Sequence, residues 1–222
     1  DVHGNFAALR AVLAAIEAHR PLQLVVAAGD LVAPAGSRPV ETFDLLVDRG
    51  CLLLIGNEDE RLWAPQNEQI DSPFTELIRR QIPWVLEQLG PQRLERLQRL
   101  PRRVRISPAP GRDLLIVHAS PSDFLHGYAA DPGMTDEQLR DCYGGANARV
   151  IAFGHYHQPF AREWDEGLLV NVASVSLPKD GQPLAAYSIL EWAGDDWSVE
   201  QYRVPYDTAE EQAALKASGI PL

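Results

Sequence analysis

Apolar positions along this chain recur with two different periods. In "FAALRAVLAAIEAHRP", residues 6–21, they return at helical spacing and stop at a proline, which predicts a helix. "LQLVVAAGD", residues 22–30, is a short continuous apolar run closed by Gly29-Asp30, which predicts a buried strand. "PVETFDLLVDRG", residues 39–50, returns to helical spacing with Gly50 at its end. "CLLLIGN", residues 51–57, is a second apolar run that ends in a polar loop. Strand and helix alternate, so an α/β arrangement with helices layered on a sheet is expected.

From Phe74 to Leu100 the pattern is helical, with Pro83 and Gly90-Pro91 predicted to divide it into two or three pieces. This segment, about 74–100, reads as a helical cap over a single 1–222 domain. Shorter apolar runs predict strands at Arg103–Ile106, Leu114–Val117, Val150–Phe153, Leu168–Val172, Leu184–Trp192 and Trp197–Tyr202. "MTDEQLRDCYGG" predicts a helix stopped by glycine, and Thr208–Ser218 a final helix. The later strands lack regular helical crossovers, so part of the sheet system is expected to be antiparallel or mixed. Asp1 has no strand before it, and the pattern of the other units calls for an apolar strand upstream.

Composition changes this picture little. Apolar residues make up 45% and charged residues 23%, ordinary values for a globular protein. No stretch reads as a signal peptide or a membrane span. Cys51 and Cys142 form no CxxC pattern, which points to a reducing cytoplasm. The net charge of −11 argues against an extended nucleic-acid binder, which needs clustered Lys and Arg. It leaves room for a small anionic substrate, because bound divalent cations reverse the sign of a cleft locally.

The candidate chemistry sits where apolar runs end. Asp1-Val2-His3 opens the chain. Gly29-Asp30 and Gly56-Asn57-Glu58-Asp59 close two strands, His118 ends "LLIVHAS", and Gly154-His155-Tyr156-His157 ends "VIAFGHYH". In open α/β sheets, ligands collect at the carboxyl ends of strands, so these residues are expected to meet in one cleft. Each motif alone has a plain alternative: a turn for Gly-Asp, a helix cap for Asn57, a structural histidine for His118. Together they form a nitrogen and oxygen donor set with no thiolate. Such a set suits manganese first, with iron, zinc, nickel or cobalt as alternatives.

The order of these motifs resembles the calcineurin-like metallophosphoesterase family. Within it, "DVHGN", "VNVASVSLPKDGQPLAAYSIL" and "VPYD" are similar to the small bacterial and archaeal phosphodiesterases. The resemblance implies a four-layer α-β-β-α sandwich, two mixed sheets with flanking helices. It implies two divalent metal ions, one held by Asp1, His3 and His157 and the other by Asn57, His118 and His155, with Asp30 bridging. It implies hydrolysis of a phosphodiester or phosphomonoester, in a small molecule or nucleotide, by metal-activated water. Asn5 at the start of the first helix and the Asn57 amide are expected to meet the phosphate, and Asp59 to orient His118 or cap a helix.

Two departures stand out. Glu58 occupies the place where many members carry a histidine that protonates the leaving group. Glu58 is either a replacement acid or an ordinary first-turn carboxylate, the second reading being preferred. Ser122 stands where the subgroup often has arginine. His126 is a substrate contact, a substitute acid or a surface residue. Trp63, Trp84 and the arginines at 79, 80, 93, 96 and 99 read as core packing and a solvated helix face respectively, and His19 as a helix-end complement to the dipole. A non-catalytic scaffold on the same fold and a protein serine/threonine phosphatase are the competing classes.

Overall fold

The structure, a computed structural model, describes residues 1–64, 73–127 and 130–222. Helix α1 (Phe6–Ile16) runs into a 3₁₀ turn (Glu17–His19), so the single sequence-predicted helix is realised as two elements. Strands β1 (Val26–Ala28) and β2 (Leu52–Leu54) flank helix α2 (Pro39–Asp48) and pair in parallel. One helical turn, α3 (Asn57–Glu60), follows β2, and α4 (Pro73–Gln98) follows it. Only Gly90, at φ 66°, leaves helical geometry inside α4, and the helix continues through Pro83.

Strands β3 (Arg103–Ile106), β4 (Leu114–Val117), β5 (Val150–Phe153), β6 (Phe160–Trp164) and β7 (Gly167–Asn171) form one sheet in the order β3-β4-β5-β7-β6. Its centre is parallel and both edge strands are antiparallel, so the sheet is mixed as expected. Helix α5 (Asp136–Tyr143) connects β4 to β5. Strands β8 (Ala185–Trp192) and β9 (Trp197–Val204) form an antiparallel hairpin, and α6 (Thr208–Ser218) follows.

β6 has no counterpart in the sequence reading. It is an edge strand, "FAREW", with Ala161 and Glu163 exposed, polar Arg162 and Glu163 in its middle and Pro159 just before it, so it carries no apolar run to detect.

The period-two alternation of the strands builds the layers. Leu114, Ile116, Val150 and Ala152 face Ala28 and Leu54 across the gap between sheets. Leu115, Val117, Ile151 and Phe153 face the opposite way, onto Leu139 and Tyr143 of α5. Leu53 of β2 packs with α1, α2 and α4, and β8 packs on α1 through Ala185, Tyr187, Ala8 and Val12. Four layers result: α1, α2 and α4; the two strand pairs; the five-stranded sheet; and α5. Fully burying one such side chain contributes about 1.5–3 kcal/mol. These layers point β1, β2, β4 and β5 so that their carboxyl ends open on one edge.

Candidate metal centre

At that edge the backbone takes conformations that ordinary residues avoid. His3, Asp30, His155 and His157 all have positive φ, at 52°, 48°, 62° and 62°. A left-handed non-glycine residue costs roughly 1–3 kcal/mol and persists only where its surroundings over-determine it. Here they do. Val2 and His3 donate backbone N–H groups to Asp30 O, both at 2.8 Å, tying the first turn to the end of β1. The Asp59 carboxylate accepts from Leu31 N and Val32 N at 2.9–3.1 Å and from Gly56 N at 3.1 Å. Close approach also requires glycine. A Cβ at Gly154 would sit 2.3 Å from Asp1 Oδ2, and one at Gly56 would sit 2.1 Å from Asp30 Oδ1.

The donors gather in two sets that share Asp30: Asp1, His3, Asp30 and His157, and Asp30, His118 and His155. The ligand atoms within each set lie within 4.8 Å of one another. Asp1 also accepts from His155 N at 3.1 Å, which locks the first motif to the last. Asp30 Oδ1 accepts from Glu58 N at 2.9 Å, while Oδ2 faces His118 Nε2 at 3.5 Å and His3 Nε2 at 3.8 Å.

The hydrogen bonds around the imidazoles say what the cluster lacks. His3 Nδ1 lies 2.7 Å from Ala33 O, and His157 Nδ1 lies 3.1 Å from Leu177 O. Each Nδ1 must donate to its carbonyl, so each neutral ring presents a bare lone pair at Nε2. Those two Nε2 atoms face each other at 3.1 Å. The second set repeats the problem. His118 Nδ1 is spent on Ala28 O at 2.8 Å, so its Nε2 lone pair points at Asn57 Oδ1, 2.8 Å away. Asn57 cannot turn its amide to help, because Nδ2 donates to Glu58 Oε1 at 2.9 Å.

Protonation does not relieve these contacts. Burial first, then the charge of His157, holds His3 well below the ordinary histidine value. Burial likewise lowers His118 strongly, His155 to about 4 and His157 to about 3. Asp30 is pushed well up by burial and by the neighbouring Asp59 and Glu58 carboxylates, and burial raises Asp59 to about 6. Neutral imidazoles, crowded carboxylates and opposed acceptors are relieved by a cation in each set. The residues present therefore fit a dinuclear metal centre of nitrogen and oxygen donors.

Other sequence-singled residues fall outside the donor sets. Asp59 does not touch His118; the Ala28 carbonyl orients that ring, and Asp59 holds the Asp30 loop and the first turn of α3 instead. Asn5 caps α1, its Oδ1 accepting from Ala8 N at 3.0 Å. The Asn57 amide, expected to reach a phosphate, is used by Glu58. Glu58 also pairs with Arg61 at 3.1 Å. His126 lies 3.1 Å from Glu60 Oε2, at a surface with a third of its side chain exposed. His19 meets Tyr187 OH at 2.9 Å, so it joins an aromatic cluster beyond merely ending a helix. Trp63 and Trp84 pack into the α1, α2 and α4 core, while Arg93 pairs with Asp44 at 2.6 Å and Arg99 with Glu95 at 2.5 Å.

Sequence reasoning passed over Lys179. Its backbone N–H donates to His157 O at 2.9 Å, and its ammonium lies 5.3 Å from the Tyr156 ring centroid. Its charge helps lower both His155 and His157. Its place inside "VNVASVSLPKDG" was the available signal.

A fold of this layering, with two acceptor sets joined by one carboxylate at the strand ends, is that of the dinuclear metallophosphoesterases. Residues 1–195 match the calcineurin-like phosphoesterase superfamily domain, and the chain belongs to that family. It is 27% identical to an uncharacterized protein of Methanocaldococcus jannaschii, covering 100% of this chain and 91% of that one. Among solved structures it is similar to a metallophosphoesterase from Sphaerobacter thermophilus, with 26% identity, a TM-score of 0.78, and coverage of 100% of this chain and 92% of the other. A hypothetical protein from Pyrococcus horikoshii shares the fold at a TM-score of 0.84 and 17% identity, covering 100% and 92%.

Proposed function

We propose that the protein hydrolyses a phosphodiester or phosphomonoester of a small molecule or nucleotide at a dinuclear centre, with manganese as the working metal. The observation that carries this reading is the pair of opposed acceptor contacts, His3 to His157 and His118 to Asn57, one in each donor set. Asp1, His3, Asp30 and His157 would hold one ion, and Asp30, Asn57, His118 and His155 the other. When bound, two such ions polarise the phosphoryl group and lower the pKa of a water to near neutrality.

The chain's own residues set the conditions for that chemistry. The carbonyls of Ala28, Ala33 and Leu177 fix three ring orientations, so three Nε2 lone pairs are preorganised. Glu58 N–H holds one Asp30 oxygen and leaves the other free to bridge. The Glu58 side chain acts as a carboxylate: it accepts from Asn57 and pairs with Arg61, and so aims Asn57 Oδ1 inward. It is a positioning residue in this reading and does not supply the leaving-group proton. Substrates with good leaving groups are favoured accordingly. Lys179 places a cation beside the centre of an acidic chain, where an anionic ester would approach.

Free Cys51 and Cys142 support a reducing, cytoplasmic setting. Among the described residues, no helix is long and apolar enough to cross a membrane.

Elemental analysis joined to hydrolysis of bis(p-nitrophenyl) phosphate and p-nitrophenyl phosphate with added Mn²⁺ tests the proposal. About two metals per chain with turnover is the expected result. Two metals without turnover would favour a scaffold built on the same fold. Absence of metal would overturn the reading of the histidines.

A further inference from the structure

Two chain segments are fastened together at His157. Its Nδ1 donates to Leu177 O at 3.1 Å, and its carbonyl accepts from Lys179 N–H at 2.9 Å. Residues 155–157 and 177–179 therefore meet around one candidate ligand. Each segment also carries a side chain that no ligand role uses. Tyr156 lies between His155 and His157, which both take left-handed backbone, and it is 39% exposed. Lys179 is exposed as well, and its ammonium sits 5.3 Å from the centroid of the Tyr156 ring.

Folding does not call for this pair. A surface cation–π contact contributes only about 0.5–1 kcal/mol. Its consequence is positional: the ring restrains a charge carried on a flexible four-carbon stem. Among the described residues no carboxylate pairs with Lys179, and Asp180, next in the chain, is taken by Arg203 at 2.6 Å. Burial first, and then the Lys179 charge among others, lowers His155 and His157, so the field of the ammonium reaches the donor sets. A cation held at the edge of the centre, on a chain of net charge −11, is suited to an anion.

Diesters and monoesters make different demands there. A diester presents two terminal phosphoryl oxygens, whereas a monoester presents three and a charge of about −1.5 to −2 at neutral pH. With one oxygen at each metal ion, a diester is fully met and a monoester has one oxygen left over. We propose that Lys179, held in place by the Tyr156 ring, donates to the third terminal oxygen of a phosphomonoester and so selects monoesters over diesters. This rests on the phosphoesterase reading above and chooses between its two ester classes. Lys179 is the specificity-determining residue, and Tyr156 positions it.

The test uses Mn²⁺-loaded protein and two probes that need no turnover, inorganic phosphate and dimethyl phosphate. Only the first has more than two terminal oxygens. By calorimetry the wild type is expected to bind phosphate more tightly. Lys179→Met keeps the stem and removes the charge. It is expected to weaken phosphate about tenfold and to leave dimethyl phosphate within about twofold. Tyr156→Ala is expected to weaken phosphate about threefold, and Tyr156→Phe, which keeps the ring face, to restore it. The kcat/KM ratio of p-nitrophenyl phosphate to bis(p-nitrophenyl) phosphate should fall about tenfold in Lys179→Met. Phosphate binding that Lys179→Met leaves unchanged, or equal weakening of both probes, overturns the proposal. If neither ester is hydrolysed while phosphate still depends selectively on Lys179, the hydrolase reading falls and the Lys179 site stands.

Discussion

The centre and the charged rim of this protein follow opposite electrostatic rules. At the rim, unlike charges meet. Arg149 pairs with Glu163 at 3.0 Å and Asp196 at 2.8 Å, and Arg99 with Glu95 at 2.5 Å. At the centre, like acceptors meet, with two imidazole lone pairs 3.1 Å apart and a third aimed at an amide oxygen 2.8 Å away. The rim satisfies itself, and its exposed pairs contribute little, because water already solvates both partners. The buried centre is unsatisfied by the chain alone, and left-handed backbone adds strain to it. Apolar side chains in its place would be cheaper for folding. Its geometry makes sense as preparation for cations.

The largest expected effect breaks the centre at the residue both sets share. Asp30→Asn should lower turnover of bis(p-nitrophenyl) phosphate by about 10²–10³-fold and reduce bound metal measured on the same sample. The metal-free variant should at the same time melt at or above the wild-type temperature, since a crowded, buried carboxylate has been neutralised. A lower melting temperature would show that Asp30 stabilises the fold.

Next in size, Gly154→Ala drives a methyl group against Asp1 Oδ2, 2.3 Å from where its Cβ would lie, and replaces none of the donor residues. Metal affinity by calorimetry should fall about 10–100-fold while circular dichroism keeps its native form. Unchanged affinity would mean that Asp1 need not sit where it does.

Acid should sharpen the contrast in chelator-treated protein. The four imidazoles stay neutral in the fold, with His157 at about 3 and His155 at about 4, while unfolded histidines protonate near 6.5. The unfolded state then binds more protons, so stability falls as pH drops below 6.5. Asp59, raised to about 6, and Asp30, also raised, act in the opposite direction between that range and the ordinary 3.8. Four groups against two leave a net loss, roughly 2–3 kcal/mol per pH unit between about pH 6 and 4 by denaturant titration. Saturating metal should raise stability and steepen that slope, because metal-bound imidazoles and carboxylates carry no protons while their unfolded counterparts do. The smallest effect belongs to the rim: Arg99→Ala should change stability by less than about 0.5 kcal/mol in the same titration.

Most of the candidate ligands were legible in the sequence because the chain places them directly after an apolar run; Asp1 and His3 have none before them and were marked by the D-x-H motif of the family the chain resembles. A buried parallel strand must be apolar on both faces, and its carboxyl end is where polar chemistry becomes affordable. "VIAFGHYH" and "LLIVH" announce both facts in a few letters. β4 and β5 were predicted to the residue for the same reason. β6 was not, since an edge strand carries alternating polar side chains and no run.

Roles that depend on what a side chain faces stayed hidden. Glu58 reads as an acid in a histidine's place, yet its neighbours Asn57 and Arg61 make it a holder of the Asn57 amide. Asp59 reads as either an orienter of His118 or a helix cap; it caps α3 through Gly56 N, and the carbonyl at the His118 ring belongs to Ala28, 90 positions away in the chain. Glu210 and Glu211 are identical letters. One pairs with arginines and the other is buried against Ser37, its second oxygen without a hydrogen-bond partner among the described residues. The sequence by itself determined the layered α/β fold and the donor types, because periodicity and residue chemistry are local. Only the tertiary structure decided which lone pairs oppose and which of two adjacent glutamates is buried, because burial and hydrogen-bond partners come from elements distant in the chain.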